Sequence, residues 1–200
     1  MVPGVIGGTI LTDAERDEAI DATRIWLERA VIGLNLCPFA KAVHVKRQIR
    51  YAVSLAQSQE GLLDDLEREL KQLAAADPEE IETTLLIHPL VLEDFLEFND
   101  FLDVADAVLD ELDLTGEIQI ASFHPRYQFA GTQPDDIENY TNRSPYPILH
   151  LLREESVERG MAAFPDAARI FEKNVDTLKR LGHDGWSKLD VGPAAHTGKD

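Results

Sequence analysis

Three short runs rich in aliphatic and β-branched residues, Ile49 to Leu55, Thr83 to His88 and Glu117 to His124, alternate with two amphipathic helical stretches. In the first stretch Leu62, Leu63, Leu66, Leu70, Leu73 and Ala74 recur at helical spacing, and the pattern stops near Asp77-Pro78. In the second Leu92, Phe95, Leu96, Phe98, Leu102, Ala105, Leu109 and Leu112 do the same ahead of Gly116. Strand, helix, strand, helix, strand with connections long enough for one helix each is the pattern of crossover units, which demand strands running the same way. The expected fold is α/β, a three-stranded or slightly larger, mainly parallel sheet with flanking helices and further helices at both ends of the chain.

The end helices have their own signals. Thr12-Asp13-Ala14-Glu15 has capping-box spacing, Ile20, Thr23, Trp26, Leu27, Ala30 and Val31 follow at helical spacing, and Gly33 closes the segment before the turn Asn35-Leu36-Cys37-Pro38-Phe39. Pro145 and Pro147 suit the first turn of another helix carrying Ile148, Leu151 and Leu152 inward, and Asp166 to Leu181 reads as a last helix ending at Gly182. Residues 125 to 146 lack periodicity and read as a long ordered loop with aromatic anchors at Tyr127, Phe129, Tyr140 and Tyr146. A length of 200 residues with 44% hydrophobic composition fits one α/β domain over 12–190, with flexible segments at 1–11 and 191–200.

A net charge of -18 argues against nucleic acid or an anionic membrane surface as partner, since both would be repelled. No apolar run is long enough to span a bilayer, no secretory leader pattern opens the chain, and one cysteine cannot form an internal disulfide. A cytoplasmic location is the expectation. Residues 57 to 113 hold 18 acidic and 2 basic side chains, whereas 114 to 153 hold 4 and 3, the three being Arg126, Arg143 and Arg153. A segment relieved of negative charge suits a small-molecule partner that is anionic or polar.

Two His-Pro dipeptides, His88-Pro89 and His124-Pro125, end the second and third strands, because proline removes the amide that would continue the ladder. Co-directional strands bring both histidines to one sheet edge, where open α/β sheets bind ligands. Three readings compete. His88, His124 and His150 converge on Zn or Fe; or His88 and His124 act as acid/base groups while Arg143 and Arg153 hold an anionic substrate; or the rings brace the loop. A helix start at Ser144-Pro145 would place Asn142, Arg143 and Ser144 around a phosphate or carboxylate, with Tyr127 beside them, and a plain serine cap explains the same residues. Cys37 is either a nucleophile or redox centre or a small buried hydrophobe. Glu97, Asp100 and Asp103 read as a solvated stripe. No glycine-rich phosphate loop follows the first strand.

The chain resembles a bacterial family of unknown function, family 1415. The residues that carry the resemblance are Trp26 to Ala40, with its Gly33-Leu34-Asn35-Leu36-Cys37-Pro38-Phe39, then His88-Pro89, Phe98 to Leu102, Ser122-Phe123-His124-Pro125, Tyr127 to Gly131, Asn139 to Pro147, and His150 to Glu154. The family brings no activity with it. The leading expectation is a small enzyme working on a polar or anionic molecule at the strand-end edge through histidine acid/base or metal chemistry. The alternatives are a non-catalytic binding protein using the same crevice and a thiol-dependent redox protein centred on Cys37.

Overall fold

The chain enters its first helix, α1 (Asp13–Trp26), through the expected capping box: the Thr12 hydroxyl accepts from the Glu15 amide at 3.3 Å and the Glu15 carboxylate accepts from the Thr12 amide at 2.7 Å. A computed structural model describes residues 11–163 and 169–192. α1 widens without a break into a π-helix, Leu27–Ile32. There Gly33 N donates to Glu28 O at 3.0 Å and Leu36 N to Val31 O at 2.8 Å, both five residues back. A Cβ on Gly33 would lie 2.2 Å from the Arg29 carbonyl oxygen, so only hydrogen fits.

The strands are β1 (Ile49–Val53), β2 (Thr83–Ile87), β3 (Ile118–Phe123) and β4 (Ile148–Arg153). α2 (Ala40–Val45) precedes β1, α3 (Gln59–Ala75) joins β1 to β2, and α4 (Phe95–Glu111) joins β2 to β3. Ser58 and Asp94 cap α3 and α4 through their side-chain oxygens. The sheet order is β1-β2-β4-β3, with β1 parallel to β2 and β4 antiparallel to both β2 and β3.

The three expected strands therefore do run the same way, but the sheet is mixed, with two of its three pairings antiparallel rather than mainly parallel. The crossover through α4 leaves a vacant place between β2 and β3. The chain leaves β3 at the edge where His124 lies and re-enters from that same edge, so the strand filling the vacancy must run the opposite way.

The helix expected from Pro145 does not form; β4 lies there instead. Ile148, Leu149, Leu151 and Leu152 satisfy a helical stripe and a strand covered on both faces equally well, and periodicity cannot separate the two. α5 (Glu154–Ala163) follows β4 directly, and α6 (Ile170–Ser187) continues past its expected end across a kink at Gly182, φ 66°. Asp166, the expected start of that helix, lies outside the described residues, as do residues 1–10 and 193–200 of the expected tails. Val191 is buried against the α1 side of the sheet.

α3 and α4 cover one face of the sheet, where Leu62, Leu66, Leu70, Phe98, Leu149 and Leu151 are fully buried. α1 and the π-helix cover part of the other, packing Trp26 and Ala30 near Leu85, Ile87 and Ile148. Glu97, Asp100 and Asp103 form the expected exposed stripe on α4. Among the described residues no helix is long and apolar enough to cross a membrane. Gly33→Ala should lower the urea-unfolding stability by roughly 2 kcal/mol, because the methyl overlaps a carbonyl that the π-turn cannot move; an unchanged unfolding midpoint would contradict that packing.

Candidate functional site

His88 and His124 do reach the same edge of the sheet, and both rings turn toward α4. Phe98 lies against both, with centroid separations of 5.6 Å to His88 and 5.1 Å to His124. His88 Nδ1–H donates to Val91 O at 3.0 Å. His124 Nδ1 accepts from the Arg126 amide at 3.0 Å, so its proton is on Nε2, which donates to Leu92 O at 3.2 Å. The Arg126 guanidinium donates to Glu93 O. Three consecutive carbonyls, 91 to 93, are thus each held by a side chain. Between them sits Leu92 in the left-handed region at φ 59°, a conformation costing roughly 1–2 kcal/mol outside glycine and sustained by hydrogen bonds worth about 1 kcal/mol each. Both imidazoles are completely buried, and loss of solvation pushes each down to about 4, so both are neutral at physiological pH.

The metal set expected from His88, His124 and His150 does not assemble. His150 projects from β4 to the α1 side of the sheet, opposite the other two, and His124 has both ring nitrogens engaged. Among the described residues no group of three or more His, Cys, Asp or Glu side chains is placed to hold a metal ion.

The residues expected around an anion are tied to the chain itself. With no helix after Ser144 there is no ring of free amides, and the Ser144 hydroxyl donates to Tyr146 O at 2.5 Å. Asn142 ties the loop to the end of β3, its side-chain amide donating to Ser122 O and its backbone carbonyl accepting from the His124 amide. Arg143 lies 4.1 Å over the Tyr140 ring and donates to Tyr127 O and Pro134 O, and the Tyr127 ring packs tilted against Phe95 and edge-on to Phe129. Sequence reasoning missed Asn139, which is fully buried and bonds Phe129 N, Thr132 Oγ1 and Gln133 O from the centre of the loop. Arg153 is not one helical turn from His150, since the two lie on opposite faces of a strand. One of its guanidinium nitrogens serves Leu73 O, Ala76 O and Ile81 O, closing the C-terminus of α3.

Cys37 and His150 instead meet the same cavity, about 310 Å³ on the α1 side of the sheet over β3 and β4. Its walls are mainly apolar, including Trp26, Val31, Phe39, Leu85, Phe123 and Leu152. Phe39 is seated on α5 where Gly160 leaves room; a Cβ at Gly160 would lie 2.8 Å from the ring. The Thr83 hydroxyl donates to Leu151 O at 2.6 Å and accepts from His150 Nε2–H at 2.8 Å. A carbonyl cannot donate, so this chain of bonds fixes the tautomer and leaves His150 Nδ1 a bare lone pair. Burial pushes His150 down to about 4. Burial also raises the Cys37 thiol, against the opposing amides of Phe39 and Ala40, so it stays protonated at neutral pH. A second cavity, about 360 Å³, lies on the other side of Pro38 against α6 and mixes charges of both signs, Lys173, Asp176 and Arg180.

The buried imidazoles make stability pH-dependent. Their folded pKa values lie below the unfolded value near 6.5, so the unfolded chain binds more protons in between; stability is full above 6.5 and lost as pH falls toward 4. Comparing urea unfolding at pH 7 and 4.5, His88→Leu should lose less stability on acidification than the parent by on the order of 2–3 kcal/mol. Equal acid losses would remove His88 from this linkage.

No curated protein and no solved structure matches the chain. The segments that build both places just described, from the end of α1 through the cysteine turn, the two His-Pro ends, the loop, β4 and α6, all lie within one family match over residues 18–188, and the chain belongs to that family, described as protein of unknown function (DUF1415).

Proposed function

We propose that the protein binds a small, uncharged and largely apolar organic molecule in the cavity over β3 and β4. The observation that carries this reading is the difference between the two faces of the sheet. Within the central strand β4, Leu149 and Leu151 on the α3/α4 face are fully buried, whereas His150 and Leu152 on the other face keep partial access. Apolar side chains in a sheet interior stay accessible at a thermodynamic cost that a ligand of complementary surface relieves. A volume of about 310 Å³ is at the lower end of the roughly 300–1,000 Å³ typical of small-molecule sites.

Binding, rather than acid/base turnover, agrees with the state of the polar groups. The thiol and imidazole in the cavity are neutral, Glu82 on its wall pairs with Arg159, and one terminal guanidinium nitrogen of Arg153 serves the carbonyls at the end of α3. At the histidine edge the two rings serve the carbonyls of Val91 and Leu92.

Titration of the protein with p-xylene, followed by methyl NMR, should shift Leu85, Ala121 and Leu152 and raise the thermal midpoint. Ala121→Trp, which fills the cavity, and the milder Leu152→Phe should weaken binding at least tenfold. A probe that leaves these methyls unmoved, or that binds both variants as well as the parent, would remove the cavity as a site.

A further inference from the structure

The cavity is mainly apolar, and the His150 ring stands on its wall. His150 and Thr83 are diagonal neighbours on the same face of the antiparallel β2/β4 pair, since His150 pairs with Leu85 two residues along β2. That placement lets the Thr83 hydroxyl stand between the His150 ring and the Leu151 carbonyl. The hydroxyl has one proton, and the carbonyl takes it. Its lone pair therefore takes the Nε2 proton, and Nδ1 has no proton to give. No partner for Nδ1 exists among the described residues, and the ring lines the cavity.

We infer that the site recognises a flat, uncharged molecule with a weakly acidic O–H or N–H group, a phenol being the simplest case, which donates a hydrogen bond to His150 Nδ1 while its ring packs among the apolar walls. This rests on the cavity being a ligand site, and it adds which ligands the site distinguishes. The walls supply the ring contacts: Trp26 and Phe123, whose own rings meet edge-on at 5.1 Å, and Phe39 and Leu152. Gln119, two residues along β3 from the Ala121 that pairs with His150, is another uncharged polar side chain on the wall, suited to a second substituent. A carboxylate in the same position would bring two acceptor oxygens to an acceptor nitrogen, and would lose its solvation against mainly apolar walls. An ether or ketone offers no proton and leaves Nδ1 unpaired. The proton stays with the ligand, because an imidazole held near 4 is far too weak a base to ionise a phenol of pKa about 10. The result is recognition without charge separation.

p-Cresol and p-xylene have nearly the same shape, and differ by a hydroxyl in place of a methyl. Their dissociation constants should be measured by NMR titration on the parent, on His150→Leu and on Thr83→Val. The ratio of the p-xylene to the p-cresol constant should fall about tenfold in His150→Leu, the size of one good hydrogen bond. Thr83→Val keeps the imidazole and removes the lock on its tautomer. There the ratio should also fall, and p-methylanisole, which can only accept, should gain affinity. In the parent, the Nδ1 resonance should have the nitrogen shift of an unprotonated ring atom and move when p-cresol is added. An unchanged ratio in both variants, or a protonated Nδ1 in the parent, overturns the inference while leaving the cavity as a site. Failure of both molecules to bind the parent overturns the cavity reading and this inference together. Should either variant not fold, the parent's Nδ1 shift with and without p-cresol decides alone.

Discussion

A strand paired on both edges has no free ladder to offer solvent, and its side chains must be apolar, or satisfied within the protein, wherever a layer packs over them. β4 is such a strand, bonded to β2 and β3 with its alternate residues facing two different layers. Leu149 and Leu151 enter the α3/α4 core, and Arg153, pointing the same way from the strand's end, reaches carbonyls at the end of α3. Ile148, His150 and Leu152 face the α1 side, which is less completely filled. A polar ring here survives only with a bonded partner, and Thr83 is within reach because the antiparallel register makes it the diagonal neighbour. The selective nitrogen of the cavity is thus a consequence of how the sheet closes.

The same closure separates two uses of histidine. His88 and His124 lie beyond the ends of co-directional strands, and their rings take up the carbonyls of a turn that would otherwise leave buried acceptors unpaired around a left-handed leucine. Imidazole suits this because it is flat enough to stack on Phe98 and, when neutral, donates from one nitrogen and accepts at the other. His124 uses both functions, toward Leu92 and Arg126. His88 uses only the donor, and its Nε2 is buried without a partner. All three rings are neutral, and the remaining nitrogen of His150 is on a ring that lines the cavity.

Much of this was legible from residue order. The capping box at Thr12, the leucine periodicity of α3 and α4, the acidic stripe through Glu97, Asp100 and Asp103, and the three co-directional strands with His88 and His124 at one edge are local patterns with local causes. What stayed hidden depends on contacts far apart in sequence. Ile148–Arg153 is a strand because β2 and β3 leave a place for it, and nothing within the six residues says so. Arg143 and Arg153 look like free cations in an acidic chain until their carbonyl partners, up to 80 residues away, are known. Thr83 looked like the ordinary first residue of a strand; its role as the relay to His150 exists only in the register of β2 against β4.

Charge and cavity point in one direction. The acidic residues of α3 and α4 line the side of the sheet away from the cavity, yet a net charge of -18 gives the whole molecule a negative field that lowers the local concentration of anions. An anionic ligand would need a cationic anchor strong enough to overcome that field, and the arginines nearest both candidate places already serve backbone carbonyls. An uncharged ring loses nothing to the field. It gains from the apolar walls, and its orientation can be set by the single acceptor that the Leu151–Thr83–His150 chain leaves unsatisfied.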